Sequence, residues 1–408
     1  MARCRIGLIS GCWGIALLIG SVAFGGTARP VQVTTTQRAV VDAQAFKSDD
    51  PIMKSPQVAK ALSPTMVSAT FTNIPAMQAF AELSKQSGYA IELYNSGGGN
   101  QTRFGNVTAT ITNQPFWAAM REVCTRGNVA LYYYGDDDPD KIQLMPSNYG
   151  QQHMMKAAAS IKGPYMTVVT SLQRTNSVAM GAPQTTNRSV NLQIHTFAEP
   201  KARPTQYAYE PVIDEAVDDN GNSMLQPDNN RQPNMQSNRG VSWYGYVRLA
   251  YPTTNPGKKI ARIRGHIDAK VQLQSEPWEI ADPLKAPTAT KTIGGKKITF
   301  KSFKKNDTGR YTLELVFARG DMDPQTFQQT AFNNEQGLKL TDSGGRYQAY
   351  SSGGSSSQDE ATRQFSFARR ARAPAAGPPP DPDKLIIEIP TATQDVAIPF
   401  ELVDLPMP

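Results

Sequence analysis

The 408 residues carry 42 Lys and Arg against 35 Asp and Glu, a formal net charge of +7, with 39% hydrophobic and 19% charged residues. That length corresponds to two or three domains of about 100–200 residues, and the apolar share is enough to build cores, which excludes a wholly disordered chain. Three cysteines and three histidines exclude a disulfide scaffold or a Cys-rich zinc array, while 31 glycines and 30 prolines favour turn-rich β structure over a helical bundle.

Residues 1–28 read as a signal peptide. Arg3 and Arg5 are followed by the apolar run Ile6 to Phe24 and the small residues Gly25, Gly26, Thr27 and Ala28, with cleavage expected after Gly25 or Ala28. The segment carries two arginines and no acid, so the mature chain keeps +5. Two alternatives stand beside cleavage. Ile9-Ser10-Gly11-Cys12 resembles a lipobox whose cysteine is lipidated, and the apolar run approaches the ~20 residues of an uncleaved anchor. Export to the periplasm or cell envelope is the expectation in each case. Cys4 and Cys12 lie in this segment, which leaves Cys124 without an intrachain partner. Trp117, Met120 and Cys124 stand at i, i+3 and i+7, a spacing that turns the thiol toward a core.

Residues 29–65 are polar and aperiodic and read as a linker with at most a short helix. An internal repeat follows. Val67-Ser-Ala-Thr-Phe-Thr-Asn73-Ile-Pro75 returns forty positions on as Val107-Thr-Ala-Thr-Ile-Thr-Asn113-Gln-Pro115. Each copy reads as a strand leading into a helix, with Asn as the cap and Pro presetting the first turn. Helices are expected over about 75–87 and 115–126, stopped by Gly88 and Gly127, with apolar stripes that include Phe80, Leu83, Trp117, Met120 and Cys124. Strands at 89–94, 129–134 and 141–145 complete a β-α-β-β-α-β-β unit over 66–146.

These residues resemble a known family. The strand-Asn-x-Pro-helix start, the phrase AFAELSKQSGYAIELY and the second helix PFWAAMREVCTRG with its closing hairpin are similar to the secretin and TonB N-terminal short domain (STN domain) of bacterial envelope proteins. The resemblance covers about a fifth of the chain, and no secretin-like pore segment or transmembrane barrel follows it. The arrangement as a whole resembles exported proteins of planctomycete-type bacteria.

Beyond Gly163 strand-like runs recur at 165–173, 189–197, 241–251, 260–273, 297–303, 311–317, 364–367, 384–389 and 397–403. The fold class is therefore α+β: the small unit, then one or two antiparallel β-sandwich, immunoglobulin-like domains. A β-rich domain is expected over 160–256 with a long polar loop at 200–240. A sandwich is expected over 257–408 with a Gly/Ser-rich loop at 344–357 and a Pro-rich one at 373–382. Asp307-Thr-Gly309-Arg-Tyr311 matches the tyrosine corner of immunoglobulin-like domains, without the cysteine that usually stands two residues on, where Leu313 lies.

No motif carries chemistry. His153, His195 and His266 have no partner at i+3 or i+4, so a local zinc site is not encoded. Asp218-Asp-Asn220-Gly-Asn222 begins like a calcium loop but has Ser223 and Asn229 at the sixth and twelfth positions. Asp136-Asp137-Asp138 reads as a hairpin tip, and Gly97-Gly98-Gly99 precedes no helix that would cradle a phosphate. The basic clusters are Lys296-Lys297, Lys304-Lys305 and Arg369-Arg370-Ala-Arg372; the last, near Phe365 and Phe367, reads as a solvated loop rather than a nucleic-acid surface, with contact to an anionic envelope polymer as the alternative.

The sequence thus points to a non-catalytic exported envelope protein with no cofactor, no metal and no catalytic residues, acting as a binding or scaffold component. Its partner is expected to be an envelope protein or glycan, not nucleic acid, with membrane attachment only through an uncleaved anchor or Cys12. The rival readings are a polysaccharide-binding module or glycosidase working through sandwich loops, favoured by a cleft with a close Asp/Glu pair and an exposed Trp243 or Trp278, and an accessory subunit of a secretin-like assembly.

Overall fold

In the computed structural model strands take 61% and helices 15% of the described residues, and nearly all strand pairs are antiparallel. The residues described are 38–47, 50–93, 104–132, 141–146, 152–180, 185–226, 234–238, 240–307, 309–321, 323, 327, 337–342, 345–369 and 381–407. The signal-peptide segment, Asp136–Asp138, Gly97–Gly99 and most of the Pro-rich stretch lie outside them.

The stretch read as a linker contains regular elements within its described residues, 38–47 and 50–65. It holds β1 (Ala39–Asp42), a single 3-10 turn (Pro51–Lys54) and α1 (Pro56–Leu62). Val58 and Leu62, one helical turn apart, are buried in a core built by much later residues, and β1 pairs in parallel with residues 159–162. Aperiodic composition hid this because four residues of strand and two turns of helix are too short to show a period.

The unit at 66–146 runs β2 (Met66–Pro75), α2 (Ala76–Ser87), β3 (Ala90–Leu93), β4 (Asn106–Pro115), α3 (Phe116–Gly127), β5 (Val129–Leu131) and β6 (Lys141–Pro146). The two halves of the repeat pair with each other: β2 and β4 are antiparallel with Thr70 opposite Thr110, Phe71 opposite Ala109 and Ala69 opposite Ile111. Shifting by forty residues exchanges the last two pairs, so the strands are related by a local two-fold axis through the threonine pair. β3, β6 and β5 form a separate three-stranded sheet. Phe80, Leu83, Trp117, Met120 and Cys124 are all buried in the core between them.

Asn73 and Asn113 are not helix caps. Each lies inside its strand with φ of 53° and 47°, in the left-handed region asparagine tolerates, where the register of the β2–β4 pair slips. The Asn73 N–H donates to the Thr108 hydroxyl at 3.0 Å and the Asn113 N–H to the Ser68 hydroxyl at 2.8 Å, the same bond in each half. Pro75 and Pro115 occupy the cap positions. Gly88 ends α2 in the left-handed conformation, whereas α3 ends one residue beyond Gly127, at Asn128 with φ of 54°. Gly127 serves packing instead: a Cβ there would lie 2.6 Å from the Ala76 Cβ.

This unit shares its core with the sheet that follows α4 (Gln152–Lys156). That sheet takes β7 (Ala159–Lys162), β8 (Tyr165–Ala179) and β9 (Thr185–Ala198). The chain leaves it for β10 (Pro204–Ala208), β11 (Val212–Asp218) and β12 (Met235–Ser237), then returns with β13 (Ser242–Ala250). The order is β1-β7-β8-β9-β13. Met166, Val168, Phe197 and Val241 face the small unit, while Val190, Leu192, Ile194, Trp243, Val247 and Leu249 enter a second core. The expected 200–240 loop thus contains three strands, each too short or too polar to register as one.

Where the small unit meets this sheet, a buried carboxylate holds the joint. Glu199 has no exposed surface; its oxygens accept from the Thr65 N–H at 3.0 and 3.1 Å, the Thr65 hydroxyl at 2.6 Å and the Tyr89 hydroxyl at 2.7 Å, with the Lys201 ammonium 3.4 Å away. Burial, and then the Glu199 charge, pushes the Tyr89 and Tyr165 hydroxyl pKa values up. The Trp117 indole N–H donates to the Pro164 carbonyl at 3.1 Å and Arg121 Nη2 to that of Ala157 at 2.7 Å.

β14 (Lys259–Ala281), β15 (Ala289–Ile293), β16 (Lys296–Lys305), β17 (Tyr311–Ala318), β18 (Leu338–Asp342), β19 (Gly345–Ser356), β20 (Glu360–Arg369) and β21 (Lys384–Pro406) complete an eleven-stranded sheet with β10, β11 and β12. β14 and β21 pair along their full 23 residues each. One half of this ribbon covers the second core, with Ile263, Ile267, Val271, Ile398, Phe400 and Leu402. The other half enters a third, with Ile280, Leu385, Ile387 and Ile389. The boundary expected at 257 therefore runs through neither strand's end but across the ribbon. Within the Gly/Ser-rich 344–357 stretch, Gly345–Ser356 form strand β19 rather than a loop.

The tyrosine corner is also overturned. The Tyr311 hydroxyl donates to Asp381 Oδ1 at 2.6 Å, seventy residues downstream, rather than to nearby backbone, and the tight turn is organised by Asn306, whose side chain accepts from the Arg310 N–H at 2.9 Å.

Two substitutions test these joints by chemical denaturation. Glu199→Ala strips a buried network of its acceptor and is expected to cost about 3 kcal/mol or more. Gly127→Ala drives a methyl into Ala76 and is expected to cost about 1–3 kcal/mol.

Candidate functional site

The outer face of β13 carries Tyr244, Tyr246 and Arg248, while Trp243, Gly245, Val247 and Leu249 point the other way into the second core. Period-two alternation in the strand produces this division. On the neighbouring β9, His195 lies opposite Tyr244, Gln193 opposite Tyr246 and Asn191 opposite Arg248. At the His195 end the face is covered by Phe197 and the small unit. Toward Gln193 and Asn191 it opens.

Tyr244 and Tyr246 are 46% and 40% exposed, the exposed aromatic side chains among the residues whose burial is described. Tyr209, from the bend after β10, joins them. Its ring centroid lies 5.8 Å from that of Tyr244 and 5.4 Å from that of Tyr246, which are themselves 6.2 Å apart with planes at 88°. Gly245 makes this approach possible. A Cβ there would come within 2.8 Å of the Tyr209 carbonyl oxygen, which instead accepts the Tyr246 N–H at 3.1 Å. Burial, then Tyr246, Tyr244 and Glu210, pushes the Tyr209 hydroxyl pKa up. The amides beside the rings are held by neighbours: Asn191 Nδ2 donates to Thr175 Oγ1 at 3.0 Å, and Gln193 Oε1 accepts the Ser171 hydroxyl at 3.5 Å.

Among the described residues, those that the sequence singles out do not converge. His195 is buried on β9, and burial holds its pKa down to about 3. His266 lies half-buried on β14, on a different sheet, its two nitrogens each 3.7 Å from a carboxylate oxygen of Asp214 and Asp268. His153 falls in α4, outside the residues whose side chains are described. Cys124 is buried, and burial pushes its thiol up, away from the thiolate that nucleophilic chemistry needs.

Asp218 holds a turn. It is buried and accepts the N–H groups of Asn220, Asn222 and Gly257 and the Asn222 amide, at 2.8–3.0 Å. Burial raises its pKa, but these hydrogen bonds outweigh it and leave the carboxyl below its ordinary value.

Among the basic residues, Lys305 pairs with Asp381 at 2.6 Å and lies over the Tyr311 ring. Phe365 and Phe367 are buried in the third core, so neither is placed to stack on a base. Trp243 is 3% exposed and Trp278 packs against the third core, so the exposed tryptophans that the glycan reading looked for are not there. Tyrosines take that place. The signal for them was the alternation Trp243-Tyr244-Gly245-Tyr246 itself: an apolar-side Trp and Gly put both tyrosines on the opposite face.

Comparison with family models, with curated proteins and with solved structures returned no match.

Trp243→Ala opens the second core and is expected to cost about 3–5 kcal/mol, whereas Tyr244→Ala is expected to stay within roughly 0.5–1 kcal/mol, both read from urea midpoints. A second expectation concerns acid. Between an ordinary pKa of 6.5 and about 3 in the fold, the unfolded chain binds a proton at His195 that the folded chain does not. Stability therefore falls as pH drops through that window, and His195→Gln should flatten the profile between 6.5 and 4.

Proposed function

We propose that the chain is a non-catalytic exported protein of a bacterial cell envelope, a binding or scaffold component whose partner is an envelope protein or glycan. Its 66–146 unit is read as STN-like and its β-rich body as sandwich-like. Support for the first reading is the pairing of the two repeat strands with each other, the separate three-stranded sheet, and the one core to which both helices and both sheets contribute. Support for the second is the second core, which lies between the five-stranded sheet and half of the larger one.

The observation that carries the binding role is a contrast. Several side chains on which acid–base or nucleophilic chemistry would draw are committed elsewhere: His195 and Cys124 are buried and Asp218 holds a turn, while His266 stands half-buried beside Asp214 and Asp268 on a different sheet. The tyrosines, by contrast, stand open on a rigid sheet. Recognition needs exposed, preorganised surface; catalysis needs positioned titratable groups.

The test uses the full protein. It should be recovered outside the cytoplasm with an amino terminus near residue 26 or 29, and it should sediment with isolated envelope material. It should leave peptidoglycan fragments and polysaccharides uncleaved. Recovery in the cytosol with Met1 intact, or turnover abolished by a single Asp or Glu substitution, would contradict the reading. Palmitate labelling that depends on Cys12 would replace cleavage with lipidation.

A further inference from the structure

We propose that the outer face of the five-stranded sheet at Tyr209, Tyr244 and Tyr246 binds a neutral glycan chain. The proposal rests on the binding role argued above and assigns it a surface and a ligand class.

Three features of the face select the ligand. The first is the rings. Isolated exposed aromatics are ordinary, but here three tyrosines from two segments lie within 5.4–6.2 Å of one another, with one glycine reserved to bring Tyr209 in. Tyrosine rings offer an apolar face to the C–H side of a pyranose and a hydroxyl to its oxygens. Tyr244 and Tyr246 are two residues apart on one strand, with ring centroids 6.2 Å apart and planes nearly perpendicular at 88°, so together they present a ring face and a ring edge to a ligand.

The second feature is the polar surround. Gln193 and Asn191 stand directly across from Tyr246 and Arg248, and each is tied to a hydroxyl of β8. Amide groups held this way donate and accept at fixed positions, which is what vicinal sugar hydroxyls require, and the ordering cost is already met in the free protein.

The third feature is charge. Among the described residues, Glu210 lies close enough to Tyr209 to act on its hydroxyl and Arg248 continues the row at the other side, so one acid is set against one base beside the rings although the chain as a whole is positive. A polyanion would find no excess of cations here and a cationic peptide no excess of acids. A second copy of the chain is disfavoured too, because hydroxyls and amides surround the rings where a self-association surface would place an apolar centre. A neutral polyhydroxylated chain is the complementary chemistry.

The test is affinity electrophoresis and calorimetry of the mature protein with hexaoses of glucose, mannose, xylose, galactose and N-acetylglucosamine. Polygalacturonate is the anionic control. At least one neutral hexaose should bind. Tyr244→Ala and Tyr246→Ala should each weaken that binding tenfold or more with unchanged melting temperature, Tyr244→Phe should retain most of it, and Thr110→Ala, on the exposed face of the small unit, should leave it unchanged. Failure of every neutral hexaose to bind overturns the proposal, as does binding of polygalacturonate alone. Binding that survives both alanine substitutions overturns the site while leaving the envelope-binding role standing. Sedimentation with envelope material in the absence of any hexaose binding would transfer that role to a protein partner.

Discussion

The paired strands Lys259–Ala281 and Lys384–Pro406 are the constraint on which the β-rich body depends. Each runs for 23 residues and pairs with the other from end to end, so a single ladder passes through two hydrophobic cores. The inward residues change parity along the way. In β14, from Ile263 onward, they are the odd-numbered Ile263, Ile267 and Val271, then the even-numbered Ile280. In β21 they are Leu385, Ile387 and Ile389, then Val396, Ile398, Phe400 and Leu402. The register slips between Gln272 and Ser275, opposite Pro390–Thr393, accomplish the change. A one-residue slip exchanges the faces of a strand, and a bulge is how a continuous strand absorbs it.

Glu199 performs the corresponding task between the small unit and the five-stranded sheet. A carboxylate with no exposed surface is costly to bury unless its lone pairs are filled, and here four donor contacts come from Thr65 and Tyr89, with Lys201 alongside. The consequence is orientation. Apolar contact between α3 and the sheet is tolerant of sliding, whereas the Glu199 bonds, the Trp117 indole and Arg121 fix one angle. The sheet that displays the tyrosines is therefore braced on one part of its outer face and open on the rest.

The repeat was legible in the sequence because its apolar residues recur with clear helical and strand periods. Phe80, Leu83, Trp117, Met120 and Cys124 are buried as their spacing required. What was not legible depended on partners distant in sequence. Asn73 and Asn113 read as caps, since Asn before Pro is a common helix entry. Only the facing strand, with Thr108 and Ser68 supplying hydroxyls, reveals them as bulges. Pro390 and the polar residues after it fall between the expected strand runs 384–389 and 397–403, yet they continue one strand, because proline is tolerated where a bulge needs no ladder N–H. Tyr311 read as a corner because the local pattern matched, while its hydroxyl reaches Asp381. The tyrosine face lay within a recognised strand, but Tyr209 joins it across a bend that no local pattern announces.

The central claim is that recognition occurs at the open part of the five-stranded sheet, without chemistry. The most direct measurement is ring-proton NMR of tyrosine-labelled protein during titration with neutral oligosaccharides. Tyr165 and Tyr311, at 1% and 2% exposure, serve as internal references. The account predicts saturable shifts at Tyr209, Tyr244 and Tyr246, still signals at the two buried rings and an unaltered oligosaccharide at the end. Shifts confined to other residues, or a cleaved oligosaccharide in the tube, would contradict it.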